Sequence, residues 1–326
     1  MPHRELALRD VYLARQRIMS IAQRTPVIEA PRLSERGKTK VVLKLENLQT
    51  TGSFKIRGAT NKLLSLSEEE RSRGVVTSSS GNHGRAVSYV AGRLGIQATI
   101  CIPDTVPDNK RKAIRQLGAE LLVAGATYDE ASDTAARLQE ERGLTMIHPF
   151  DDPLVIAGQG TIGLELLEDF PEIDTVLVPL SGGGLMAGIA FVLKSAHPTL
   201  RTIGVTMERG PAMVESLRAG KVVEIVEEPT LADALAGGLG GENVYTFEMI
   251  REYVDDTILV SEQEIAAAMA FALKEYHLVV EGGGAVGIAA LMSQKVRELG
   301  KNVAVVLSGS NVDIPILLET VQNQHS

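Results

Sequence analysis

Residues 175–196 read TVLVPLSGGGLMAGIAFVLKSA. An apolar run of strand length ends in Ser181, Gly182, Gly183, Gly184 and Leu185 and continues as an apolar segment of helix length, the pattern of a strand feeding a helix through a glycine turn. In open α/β sheets such turns lie at the carboxyl edge of the strands, where ligands bind and free helix amides attract anions. The three glycines permit close main-chain approach, and Ser181 adds a hydroxyl. The stretch lacks the GxGxxG spacing of a dinucleotide site, and Gly37–Lys38–Thr39 lacks the upstream glycine of a P-loop, so a single phosphate is expected here rather than a nucleotide chain.

Outward from this unit the same alternation recurs. VVLKLE (41–46), VVTSS (75–79), ATICIP (98–103), AELLVAG (119–125), TMIHPF (145–150), RTIGVTM (201–207) and NVAVVLS (302–308) read as strands, separated by amphipathic or glycine-punctuated helical segments. One helix is expected to start near Ser53 as its cap, with Phe54, Ile56, Leu63 and Leu64 as its apolar surface; another starts near Pro107. Ser261 followed by Glu264 forms a capping box before IAAAMAFALKEY. The fold class is therefore α/β with mostly parallel strands, organised as two open α/β domains. Residues 1–68 and 152–326 are expected to form a large cofactor-binding domain and residues 69–151 a small substrate-loop domain, with the active site in the cleft between them.

Composition narrows the function. A chain of 326 residues with 44% hydrophobic content supports a globular protein, and a net charge of −8 argues against general attraction to nucleic acid or an acidic membrane. Small-molecule chemistry is the better expectation. Cys101 is the single cysteine, so there is no internal disulfide and no cysteine-rich metal motif, and no apolar run reaches membrane-spanning length. A cytoplasmic protein is expected.

Two further polar clusters follow strands: SSSGNHG (78–84) and SGSN (308–311). Ser79, Ser80 and the amides at the helix start can hold a carboxylate, while Asn82 can donate to an oxyanion. For His83, stacking or hydrogen bonding outweighs proton transfer, and no histidine stands in HExxH spacing. Lys55, inside TGSFKIRGAT (51–60), reads locally either as surface or as a nucleophile. Beside a phosphate site and a carboxylate site, a lysine that forms a Schiff base points to pyridoxal 5'-phosphate.

SFKIRGA (53–59), SSGNHGRA (79–86), IAGQGTIGLE (156–165), SGGGL (181–185) and SGSNVD (308–313) together resemble the serine/threonine dehydratase family of pyridoxal-phosphate enzymes, over nearly the whole chain. The resemblance implies the tryptophan-synthase-β-like fold, fold type II, with the cofactor in the interdomain cleft, and a homodimer. It implies that Lys55 carries the cofactor and serves as base, that Phe54 flanks the ring, that Asn82 bonds the ring hydroxyl, and that Ser181 to Leu185 hold the phosphate. Ser308 would face the pyridine nitrogen, and Glu281 matches a residue near the ring. Ser79, Ser80, Gly81 and His83 match the substrate-carboxylate loop, and Ser80 matches the second acid/base of the family's racemases. The implied reaction eliminates a β-hydroxyl from an amino acid and yields a 2-oxo acid and ammonia. Racemisation is the alternative reaction, and a noncatalytic metabolite-binding protein the alternative class.

Three stretches depart from the family pattern. Thr206 and Ala212 stand where acidic metal ligands are common, with Glu208 nearby, so no metal is assigned. Ala232–Asp233–Ala234 replaces the usual ADG, and EGGGAVGIAAL (281–291) replaces a glutamate-proline or glutamate-serine opening. Those glycines either widen the site, or bring main chain closer, or simply form a tight helix entry. EGGGAVG with GNHGRAV is also similar to the hydroxyectoine-utilisation dehydratase branch. Arg85 is then either a ligand for an acidic or acylated substituent or an outward-facing helical arginine.

Overall fold

A computed structural model describes residues 6–240 and 243–324. In chain order its helices are α1 (Leu8–Ile18), α2 (Pro31–Gly37), α3 (Lys55–Leu64), α4 (Glu68–Arg73), α5 (Asn82–Leu94), α6 (Asp108–Gln116) and α7 (Tyr128–Arg142). They continue with α8 (Pro153–Asp169), α9 (Gly184–Ala196), α10 (Ala212–Ala219), α11 (Thr246–Tyr253), α12 (Glu262–Tyr276), α13 (Gly282–Met292) and α14 (Ile314–Asn323). The strands are β1 (Val27–Glu29), β2 (Lys40–Leu45), β3 (Val75–Ser78), β4 (Ala98–Ile102), β5 (Glu120–Val123), β6 (Thr145–Met146), β7 (Thr175–Pro179), β8 (Arg201–Met207), β9 (Asp256–Val260) and β10 (Asn302–Leu307). Packing divides the chain into two units, Met1–Gln23 with Lys55–Gly158, and Arg24–Phe54 with Gln159–Ser326.

The first unit is built on a parallel sheet of order β5-β4-β3-β6, with Val75 opposite Ala98 and Thr99 opposite Glu120. Side chains of a strand alternate between faces, and here both faces are apolar. Val75, Ile100 and Ile102 join Ile56, Ala59 and Leu63 of α3 and Val87 and Val90 of α5 in one cluster. Val76 and Cys101 join Ala131, Ala135 and Leu138 of α7 in another. Helices on both faces explain why these strands read as continuous apolar runs. The Cys101 thiol is buried, and burial pushes its pKa up to about 11, which makes it inert. Residues 1–23, 55–68 and 152–158, expected in the large domain, fall instead in the first unit, where Ile56, Ala59 and Leu63 of α3 fill the cluster shared with α5.

The second unit has a six-stranded sheet of order β1-β2-β10-β7-β8-β9, parallel except for β1. The late strand NVAVVLS supplies β10, which lies between β2 and β7. Both edge strands, β1 and β9, were passed over in the sequence, because three residues of β1 and the half-buried alternation of β9 carry a weak pattern. Helix α13 is buried along nearly its whole length, and Gly287 lets it approach β10: a Cβ there would stand 2.6 Å from Val305 Cγ1. The Ser261–Glu264 capping box is formed as expected.

Two motif positions turn out to serve packing. A Cβ on Gly158 would meet the Arg57 carbonyl and the Gly58 Cα at 2.7 Å, so the glycines of IAGQG and KIRGA let α8 and α3 cross at main-chain distance. Glu165, later in α8, pairs with Lys44 of β2 at 2.5 Å; Lys44 is 0% exposed, and its amine also donates to the Thr25 carbonyl at 2.6 Å. Among the described residues, no helix is long and apolar enough to cross a membrane.

Candidate active site

In the first unit Lys55 opens helix α3, two residues later than expected. Its Nζ donates to the Pro149 carbonyl at 2.7 Å, and burial lowers its pKa from 10.5 to about 8. A charged amine in a poorly hydrated setting is disfavoured, so a usable neutral fraction exists near neutral pH. Ser53 is not the helix cap: it bridges to Gly309, and its buried hydroxyl has no hydrogen-bond partner. The cap pattern was outweighed by the strand-like entry of the chain.

The expected carboxylate loop sits where β3 turns into α5. Ser80 is 3% exposed, Ser79 and Arg85 are half-buried, and Asn82 and His83 occupy the buried first turn of the helix. Gly81 precedes that turn with no side-chain cap, and a Cβ on it would meet nothing within 4 Å. Buried first-turn amides without a capping side chain are suited to an anion. Gly84 is required for a different reason, since a Cβ there would stand 2.0 Å from the Ser79 carbonyl. The His83 ring is 3% exposed and bonds the Ile147 carbonyl through Nε2 at 2.8 Å. Because a carbonyl only accepts, Nε2 carries the hydrogen. Burial, and then the charge of Lys55, pushes the His83 pKa down to about 3. A neutral ring with its hydrogen committed does not donate to a carboxylate; what His83 offers an anion is its main-chain N–H.

The residues that receive these groups went unrecognised in the sequence. Ile147 to Asp152, which read only as the end of a strand and a boundary, supplies the carbonyl that holds His83 and the one that holds Lys55. A faint signal was present in HPFDDP, where a histidine precedes two prolines that bracket a pair of aspartates.

In the second unit the Phe54 amide donates to the Ser308 carbonyl at 3.0 Å. Phe54 is covalently followed by Lys55, so this bond lies one residue before the candidate lysine. Ser308 is buried at the carboxyl end of β10. Glu281 precedes α13, receives the Asn311 amide at 3.1 Å, and donates its own amide to the Gly309 carbonyl. The Ser181–Leu185 turn follows β7 as expected. Gly183 adopts φ +91° at the N-cap of α9 with no capping side chain, and Gly184, Leu185 and Met186 of the first turn are buried. Uncapped amides at the buried start of a 13-residue helix fit a phosphate. The lysine amine fits an aldehyde. Each donor set, taken in its own unit, suits one part of pyridoxal phosphate, the turn its phosphate and the amine its aldehyde.

A family profile described as pyridoxal-phosphate dependent enzyme matches residues 18–309. The chain belongs to that family. It is 50% identical over 316 residues to a protein of Sinorhizobium fredii provisionally named threonine dehydratase, covering 97% of this chain and 95% of the relative. It is 46% identical over 312 residues to the L-threonine ammonia-lyase of Thermotoga maritima, covering 96% of this chain and 77% of the relative. Among solved structures, maize serine racemase superimposes with a TM-score of 0.91 at 35% identity, covering 98% of each chain. The α/β fold is thus that of the fold type II pyridoxal-phosphate enzymes, as the sequence motifs implied.

Against this family background, two of the departures meet in space. A Cβ on Gly283 would lie 3.3 Å from Ala234 Cβ and 3.1 Å from Leu235 Cγ, and one on Gly282 would lie 2.1 Å from the Leu231 carbonyl. Gly284 approaches the Gly309 carbonyl in the same way, at 2.8 Å. The glycines therefore bring main chain closer. At the third departure, Thr206 and Ala212 are buried and Glu208 is engaged by Lys295 at 3.2 Å.

Proposed function

We infer that this pyridoxal-phosphate enzyme is a dehydratase, or ammonia-lyase, which eliminates the β-hydroxyl of a β-hydroxy-α-amino acid to give a 2-oxo acid and ammonia. The observation that carries the inference is Lys55, a buried amine with its pKa near 8, in a chain similar to threonine ammonia-lyases over nearly its full length. Pyridoxal phosphate, when bound, supplies the aldehyde and the conjugated electron sink. Lys55 would hold the cofactor through that aldehyde and, once displaced, would take the proton from Cα, a task suited to an amine that is partly neutral near pH 7. Ser181 to Leu185 would hold the phosphate, Asn82 would bond the ring hydroxyl, Phe54 and Glu281 would lie by the ring, and Ser308 would serve the pyridine nitrogen with a hydroxyl rather than a charge. The amides around Ser79, Ser80, Gly81 and His83 orient the substrate carboxylate.

Substrate choice is a finer part of the same proposal. The panel to assay is L-serine, L-threonine and the acyclic product of hydroxyectoine ring opening, the last motivated by EGGGAVG and by Arg85. Formation of 2-oxo acid and ammonia from one of these tests the function; enzyme loaded with cofactor that yields neither from any of them would overturn it.

A racemase is the second reading, favoured by Ser80 and by the match to a serine racemase. Following both inversion and 2-oxo acid from a single enantiomer separates the two. Ser80→Ala should depress inversion more than elimination if Ser80 is the acid/base on the opposite face of Cα. We further propose a cytoplasmic homodimer, supported by the apolar surface that Ile314, Ile316 and Leu318 of α14 expose. Light scattering on the purified protein and cell fractionation test these two statements.

A further inference from the structure

Segment Ile147–Asp152 makes a succession of bonds to helices α3 and α5. The Ile147 carbonyl accepts from His83 Nε2 at 2.8 Å, and the Pro149 carbonyl accepts from Lys55 Nζ at 2.7 Å. Between these carbonyls, His148 Nδ1 accepts from the Asp151 amide at 2.7 Å and from the Phe150 amide at 3.3 Å. Amides only donate, so that nitrogen bears a lone pair and the ring closes the turn as an asparagine oxygen does in an Asx-turn. The ring also stands edge-on to Phe150, with centroids 4.7 Å apart. Burial lowers the pKa of His148 and keeps this lone pair available.

Asp152 fastens the other end. One carboxylate oxygen accepts from the Leu154 and Val155 amides at 2.8 and 3.1 Å, capping α8, and the other pairs with Lys62 Nζ at 2.6 Å. Lys62 lies seven residues after Lys55, about two turns along α3 and therefore on the same face. Asn61 adds a bond to the Leu154 carbonyl at 2.7 Å and is itself held by Arg17. The helix that carries the nucleophile is thus tied to this segment at both ends.

We propose that the Pro149 carbonyl is the seat of the free Lys55 amine, occupied before the cofactor is attached and again after substrate displaces the lysine, and that His148 and Asp152 are positioning residues that fix this seat. The proposal rests on the assignment of Lys55 given above. Proline at 149 offers an acceptor and no competing N–H, with its φ held by the ring. Without the two bonds to His148 the turn is free to rotate that carbonyl away, and the amine loses its bond to it.

The test is the pH dependence with which full-length apoprotein captures pyridoxal 5'-phosphate, followed as lysine-bound cofactor absorbance in His148→Phe, His148→Asn and Asp152→Asn. His148→Phe keeps an aromatic ring and removes the lone pair. Its capture midpoint should rise by about one pH unit or more, leaving about one tenth of the neutral amine at pH 7. His148→Asn restores an acceptor and should return the midpoint to within a few tenths of a unit of wild type. Asp152→Asn keeps an oxygen for the helix cap and loses the ion pair. Removing a negative charge would by itself lower the midpoint of an amine, so a rise there reports loss of the seat. Midpoints unchanged in His148→Phe, or unchanged or lowered in Asp152→Asn, overturn the proposal; if the Phe variant does not fold, Asp152→Asn alone decides. Failure of the wild-type protein to form any lysine-bound cofactor would instead defeat the assignment of Lys55.

Discussion

The Phe54 amide bonds the Ser308 carbonyl at 3.0 Å, next to the bridge between Ser53 and Gly309. Residues 254 and 256 positions apart in sequence are thereby joined where SFKIRGA and SGSNVD begin. A further bond, from Asn311 Nδ2 to the Thr51 carbonyl at 2.9 Å, holds the same two segments together. The main chain that enters Lys55 is therefore fixed to the carboxyl end of β10 before any ligand is considered.

Lys55→Ala should abolish lysine-bound cofactor absorbance and lower turnover by about 10³-fold or more, the scale of losing a positioned base and nucleophile together. Far-ultraviolet circular dichroism should stay that of wild type, since the hydrophobic faces of α3 are carried by Ile56, Ala59 and Leu63. Normal absorbance and turnover in the folded variant would remove Lys55 from the chemistry.

Gly183→Ala tests the phosphate turn. At φ +91° an alanine is strained by roughly 1–2 kcal/mol, and its Cβ would press on Met213 Cε and Thr246 Cβ at 3.0 Å. Thermal unfolding should occur at lower temperature, and pyridoxal 5'-phosphate should bind more weakly by fluorescence titration. Binding of wild-type strength would show that this turn does not contact the phosphate.

His83 should leave a signature in acid stability. Its pKa is depressed from an ordinary 6.5 to about 3, so the unfolded chain takes up a proton that the folded one refuses. The stabilisation is complete above pH 6.5 and is lost progressively as pH falls toward 3, at about 1.4 kcal/mol per pH unit for this single group. Urea unfolding at pH 7, 6 and 5 should show a steeper loss in wild type than in His83→Gln. Parallel slopes would mean that the folded protein protonates this ring freely.

The buried pair of Lys44 and Glu165 should behave as a unit. Lys44→Met alone leaves a carboxylate buried without its partner and should destabilise by about 3–5 kcal/mol, whereas Lys44→Met with Glu165→Leu should recover much of that loss. Chemical denaturation of the three proteins measures it, and additive effects would show that the pair is not coupled.

Periodicity, glycine placement and the motifs SFKIRGA, SSGNHGRA and SGGGL were enough to specify the α/β class and the cofactor, and to single out Lys55 and the Ser181–Leu185 turn as candidates for holding it, because each pattern is encoded within a few contiguous residues. Strand alternation and helix entry are local, and so is a left-handed glycine such as Gly183. Tertiary structure decided the rest. It took Ser53 out of its expected cap, matched Gly158 to Gly58, and set Gly283 against Ala234. Above all it gave Pro149 and His148 a purpose, since a carbonyl and a lone pair carry no sequence signature until folding brings an amine and two amides to within hydrogen-bond distance of them.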